Sequence, residues 1–188
     1  MPHIIYQKER LLCNTIKNIT DRGQGAIIYV EYYDTLDKLL EVLSKNKDKL
    51  NIKNIYEISG RVPLAQRHDV EQYHGPRDII LVSQAGSESI NLQKVNNLLF
   101  YNIPFGVENL IQAIGRITRI TTTYDEQNVY FIEVRDTIDT YKRILIQDHA
   151  DTIRLLLGDS STLPPPSPPL NKSAMNRIKH KYLWRTGK

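Results

Sequence analysis

A chain of 188 residues holds one full domain and one or two short appendages; with 40% hydrophobic and 24% charged residues it has an ordinary globular composition. No run nears the roughly eighteen apolar residues of a membrane span. The net charge of +4 excludes a generally basic body, because it comes from one end: Lys172, Arg177, Lys179, Lys181, Arg185 and Lys188 lie in the last eighteen residues, which hold no Asp or Glu. Without those six, 19 basic residues stand against 21 acidic ones, a net of −2.

Residues 3–19 have helical spacing and are expected to form an N-terminal extension over 1–22, packed outside the main sheet. Four short apolar runs follow: Ala26–Val30, Asp78–Ser83, Asn97–Tyr101 and Asn128–Ile132. Their apolarity is continuous rather than alternating, which predicts strands buried on both faces of a parallel sheet. Ile52–Ile58 is a weaker fifth candidate. Between them, Asp34 is placed to N-cap a helix from Thr35 to about Lys47, with Leu36, Leu39, Leu40 and Leu43 on one face. Pro63 opens a second helix, with Leu64 and Val70 as its apolar contacts. A third helix covers Val107–Ile117. A fourth begins at Asp136 or Thr137, with Ile138, Tyr141, Ile144, Leu145 and Ile153 at helical spacing. Strand and helix alternating in this way predict an α/β, doubly wound parallel sheet over residues 23–160. Pro164–Pro169 ends it, and 161–188 reads as a Pro-rich linker and basic tail.

Chemistry concentrates in two segments. Ser83-Gln-Ala-Gly-Ser-Glu-Ser-Ile-Asn-Leu92 follows a predicted strand, so its small and hydroxyl residues expose backbone N–H groups and short donors to an anion. Ser83, Ser87 and Ser89 are candidates for phosphate or sugar contacts, although the same residues fit a capped helix start in an ordinary crossover. Gln112-Ala-Ile-Gly-Arg-Ile-Thr-Arg119 places Gln112, Arg116 and Arg119 at i, i+4 and i+7 on one helix face, with Gly115 leaving that face bare. Two guanidiniums one turn apart form a clamp for a phosphate in transfer; alone, the octet reads first as a solvated basic turn.

Their order reduces that ambiguity. The second segment matches Q-x-x-G-R-x-x-R at every fixed position, and Ser83, Ala85, Gly86, Ile90, Asn91 and Leu92 fit S-x-A-G-G-x-G-I-N-L, with Ser87 and Ser89 replacing two glycines. In this order they resemble motifs VI and V of superfamily 2 helicases and translocases, most closely the Swi/Snf-like branch. Ala26–Leu43 resembles motif IV, Ile58–Arg67 the family's Gly-containing turn with a following arginine, and Arg135–Tyr141 the stretch beyond motif VI. The resemblance spans roughly 24–157 and implies a RecA-like second lobe with helices on both faces of its sheet. It implies ATP as the nucleotide, with Mg²⁺ held by a first lobe, and Arg116 and Arg119 as arginine fingers. Gln112 would position the attacking water or the finger helix. Gly86, Glu88 and Gly115 would lie by the nucleotide, with Glu88 near the ribose. Ser83, Ser87 and the turn Ser59-Gly60-Arg61 would track a nucleic-acid backbone, DNA more than RNA.

The sequence departs from the family after motif VI, where R-I-G-Q is replaced by Arg119-Ile-Thr-Thr-Thr. No G-x-x-x-x-G-K-[ST] occurs, so the chain is expected to be inactive alone and to need a P-loop lobe from the same parent protein or another chain. Asp125-Glu126 precedes a predicted strand and reads as a loop, not as an acidic metal box. The alternative is a non-catalytic nucleic-acid-binding or regulatory module. It rests on the tail, where Lys179 and Lys181 meet phosphates and Tyr182 and Trp184 stack on bases, although a solubilising end or a brace helix fits the same residues. The five histidines and Cys13, the lone cysteine, show no metal-ligand spacing. One cysteine excludes an intrachain disulfide, and no signal peptide is visible, so a cytoplasmic or nuclear setting is expected, without a membrane partner.

Overall fold

The computed structural model describes residues 7–83, 92, 94–115 and 128–148. Its elements run in chain order α1 Gln7–Asp21, β1 Ala26–Val30, α2 Tyr33–Lys45, β2 Ile55–Ile58, α3 Leu64–Tyr73, β3 Ile79–Ser83, β4 Asn97–Phe100, α4 Val107–Gly115, β5 Asn128–Phe131 and α5 Ile138–Asp148. All five strands pair in parallel, in the order β2-β3-β1-β4-β5. The three central strands are buried at every residue, which is why their sequences are continuously apolar. The edge strands are only half covered, and β2 accordingly carries Tyr56 and Glu57 between two isoleucines.

One face of the sheet presents Ala26, Ile28, Val30, Ile79, Leu81 and Leu99, because alternate residues of a strand share a face. Leu36, Leu39 and Leu43 of α2 and Leu12, Ile16 and Ile19 of α1 join them in a single core. Each such side chain contributes about 1.5–3 kcal/mol when fully buried. Helix α1 thus packs outside the sheet as expected, and an ion pair between Lys38 of α2 and the buried Glu9 of α1 ties the two helices together. The opposite face carries an aromatic row, with Phe100 5.3 Å from both Tyr29 and Phe131.

Three expectations about the helices change. Tyr32, not Asp34, is the N-cap of α2 and makes no side-chain cap; Asp34 sits inside the first turn, where its charge favours the helix dipole. Leu64 is not an apolar contact of α3 but 54% exposed, leaving Val70 as the buried residue. In α5 the expected stripe of Ile138, Tyr141, Ile144 and Leu145 is half-buried, whereas Asp139, Arg143 and Ile146 are buried. Ile153 lies outside the described residues.

The described residues divide into two compact units, those within 7–102 and 112–132 forming the first and those within 103–111 and 133–148 the second. The sheet belongs to the first. In the second, Thr137 starts α5 by donating to the Val134 carbonyl and accepting from the Asp139 N–H, and Lys142 lies 4.1 Å over the Phe105 ring. Among the described residues no helix is long and apolar enough to cross a membrane.

Candidate functional site at the carboxyl rim

Parallel pairing brings the carboxyl ends of β1, β2 and β3 to one level, since Val30 pairs with Ser83 and Ile58 with Val82. Ligands of open parallel sheets bind beyond this edge, where the strands hand over to loops and helix starts. The residues just past β2 form the best-defined part of it. Ser59 is buried and donates its hydroxyl to Glu57 Oε1 at 2.5 Å, while its carbonyl closes a turn by accepting the Val62 N–H at 3.1 Å. Gly60 at the tip is exposed. Arg67, one turn into α3, reaches back with Nε to the Val62 carbonyl at 2.7 Å and with Nη2 to the Gly60 carbonyl at 3.4 Å. The arginine that follows the glycine turn therefore braces that turn from below.

Arg61 projects from the turn and is engaged on two sides. Its Nε donates to Glu57 Oε1 at 2.6 Å and its Nη2 to Glu57 Oε2 at 3.2 Å. Its Nη1 donates to Asp37 Oδ2 at 3.2 Å, and Nη2 also pairs with Asp37 Oδ1. The guanidinium lies 5.3 Å from the Tyr33 ring centroid, and Tyr33 and Asp37 stand one turn apart on α2. The hydrogen bond from Arg61 holds the Asp37 carboxyl below its ordinary value. Burial works against ionisation of Glu57, but the hydrogen bonds from Arg61 and Ser59 outweigh it and hold that carboxyl low too. The two carboxylates in turn push the guanidinium up, so all three groups stay charged near neutrality.

Ser83 is buried at the end of β3. Gln112 is exposed on α4, and among the described residues a Cβ added to Gly115 would meet nothing within 4 Å. Gly86, Ser87, Glu88, Ser89, Arg116, Arg119, Asp125, Glu126, Lys179, Lys181, Tyr182 and Trp184 lie outside the described residues. Of the nominated residues, Ser59, Gly60 and Arg61 come together in one turn. Tyr32 and Tyr33 are 55% and 43% exposed on this rim, whereas Tyr101 is buried. Asp37 and Glu57 escaped the sequence reading, which marked Arg67 as the arginine that follows the turn. The only signal for the first was its i, i+4 spacing from Tyr33 on the polar side of an amphipathic helix. Among the described residues, no group of three or more His, Cys, Asp or Glu is arranged to hold a metal ion.

Known proteins resemble this chain in sequence and in fold. The helicase conserved C-terminal domain family aligns with residues 7–121. The chain belongs to this family. It is the second, RecA-like lobe of a superfamily 2 helicase of the Swi/Snf-like kind, and it includes α1, since the match begins at residue 7. Among curated relatives, the ATP-dependent helicase fft3 of Schizosaccharomyces pombe is 26% identical over 160 residues, covering 83% of this chain and 17% of its own length. The uncharacterized ATP-dependent helicase YqhH of Bacillus subtilis is 26% identical over 144 residues, covering 77% and 24%. The Danio rerio SWI/SNF-related matrix-associated actin-dependent regulator of chromatin subfamily A containing DEAD/H box 1A is 26% identical over 136 residues, covering 70% and 13%. The chain thus spans about a quarter or less of these relatives. Two solved structures share the fold of this helicase lobe. The C-terminal part of the Fun30 ATPase domain superposes with a TM-score of 0.65 at 22% identity, covering 96% of this chain and 56% of that one. T4 UvsW gives 0.58 at 16% identity, covering 77% and 32%.

Proposed function

We propose that this helicase lobe is the second half of an ATP-dependent motor on nucleic acid, DNA in preference to RNA. Its ATP site would be completed by a P-loop lobe in the same parent protein or a separate chain. The observation that carries the reading is the helix α4 with its continuation. Gln112 faces solvent, Gly115 has no described neighbour over it, and Arg116 and Arg119 follow it in the sequence, three residues apart. A permanently charged pair suits a γ-phosphate whose charge is redistributed as water attacks phosphorus and ADP leaves. Gln112 orients that water, and Gly86 and Glu88 approach the ribose. The other lobe cradles the phosphates and holds Mg²⁺. Ser83, Ser87 and the turn Ser59-Gly60-Arg61 track the nucleic-acid backbone, with strong salt dependence and little base preference. Residues 161–188 then serve as a linker and basic tail outside the lobe.

An ATPase assay of the purified chain, alone and with a P-loop lobe, tests this reading. Negligible turnover alone and nucleic-acid-stimulated turnover with the second lobe are expected. Turnover by the chain alone, abolished by Arg116→Ala, overturns the half-site reading.

The tail Arg177-Ile-Lys-His-Lys-Tyr-Leu-Trp-Arg185 supports a second reading, a nucleic-acid-binding module with no ATPase role. It requires that Lys179→Glu with Lys181→Glu abolish binding, whereas the motor reading requires that binding survive on the lobe itself.

A further inference from the structure

We infer that Asp37 is an electrostatic brake on the nucleic-acid face: it occupies the edge of the Arg61 guanidinium that a backbone phosphate would take, and it must release that edge for the rim to hold a phosphate. The inference rests on the nucleic-acid reading above and adds to it how the site is regulated.

The donor inventory comes first. A guanidinium has five N–H groups, and the contacts to Glu57 and Asp37 use four of them. No two-pronged edge remains for a phosphate, although the two-pronged fit is the reason arginine recognises phosphate well. The charge count points the same way. Two carboxylates around one guanidinium give this patch a net charge of −1, which repels a polyanion.

The two carboxylates are not equivalent. Glu57 is held on β2, its side chain is 18% exposed, and it also accepts the Ser59 hydroxyl. Asp37 stands on the outer face of α2 with its side chain 56% exposed, where ion pairs are individually weak and salt-screened. Asp37 is therefore the partner that a phosphate displaces. The Tyr33 ring keeps its hold meanwhile, because a ring face attracts the guanidinium plane whatever its edge is bonded to. With Tyr33 on the face and Glu57 on one edge, Arg61 stays in place and turns its Nη1–Nη2 edge from Asp37 to the incoming phosphate.

The test titrates the full 188-residue chain against a labelled single strand of DNA and its duplex over a range of salt. Asp37→Asn, which leaves an exposed amide on the same helix, is expected to tighten binding about fivefold at low salt and to steepen the log–log salt slope by about 0.7–0.9, one added phosphate contact. Arg61→Ala is expected to weaken binding, and the Asp37→Asn gain should vanish in the double variant. Thermal unfolding of each variant confirms that it is folded. If Arg61→Ala weakens binding but Asp37→Asn leaves it unchanged or weaker, Asp37 merely positions Arg61; the brake is overturned and the nucleic-acid reading stands. A gain that persists in the double variant reduces the effect to general charge and also overturns the brake. If the wild-type chain shows no salt-dependent binding at all, the nucleic-acid reading fails and takes the brake with it.

Discussion

The two rims of the parallel sheet are built on opposite plans. At the amino rim, polar side chains are buried and turned inward. Asn97 donates to the Gly25 carbonyl at 3.0 Å and to Asn96 at 2.8 Å, and accepts from Asn128 at 3.2 Å, lacing β1, β4 and β5 together. Asp78 is buried and accepts from Asn54 at 3.0 Å and from the Gly75 N–H at 2.8 Å, tying the start of β3 to the approach to β2. His74 is buried in the same loop, with Nδ1 donating to the Val70 carbonyl at 2.7 Å. At the carboxyl rim Ser59 and Ser83 are buried as well, but Tyr32, Tyr33, Asp37 and Arg61 face water beside the exposed Gly60. One rim uses its polar groups to hold the strands in register, and the other keeps them within reach of a ligand. Buried side chains with a partner in the fold stabilise it, whereas exposed pairs contribute little to stability and can exchange a partner for a ligand.

This contrast breaks first, and most severely, at the functional end. Arg116→Ala in the reconstituted two-lobe motor is expected to lower kcat about 10³–10⁵-fold with unchanged stability. A loss of stability without a loss of turnover would move Arg116 to the structural side. At the amino rim the opposite pattern is expected. A Cβ on Gly25 would lie 2.7 Å from the Asp78 carbonyl oxygen, so Gly25→Ala must shift backbone and should cost about 1–3 kcal/mol in urea unfolding. Asn97→Ala strips partners from buried groups and should cost a similar 1–3 kcal/mol. Both should leave nucleic-acid affinity within error; a large change in affinity would erase the distinction between the rims.

The smallest effects separate the rims by pH. Burial lowers the pKa of His74 from its ordinary 6.5, with Lys94 adding to the effect and the Val70 carbonyl opposing it. The unfolded chain therefore binds that proton more readily, and stability falls as pH drops below 6.5. His74→Gln should flatten this part of a stability–pH curve, and an unchanged slope would remove His74 from the account. Asp37 and Glu57 have lowered values instead, so their contribution is fully present above the ordinary carboxylate range and is lost only as pH falls through their folded values. Arg61→Ala should suppress that second, more acidic step and leave the first intact.

Much of the fold was legible because burial on both faces of a central strand leaves a continuous apolar run, as in Ala26–Val30 and Ile79–Ser83. The edge strand β2 was the weak candidate for the same reason, since half-coverage admits Tyr56 and Glu57. Periodicity placed α5 but not its burial: Asp139 and Arg143 are buried beside Ile146 while the apolar stripe stays half-buried. Burial there follows what packs on each side of the helix, which spacing does not encode. The turn Ser59-Gly60-Arg61 was found as a motif, but its electrostatics were not. Asp37 lies 24 residues from Arg61 and meets it only because β2 and α2 come together at one end of the sheet.

By itself, the sequence determined the parallel α/β class, the order of the motifs and the arginine-bearing octet, because hydrophobic period and motif spacing are local properties of a chain. The tertiary structure alone decided which polar groups face inward at one rim and outward at the other. It also decided that Arg61 is held by two carboxylates and one tyrosine, because burial and charge pairing depend on distances between segments far apart in the chain.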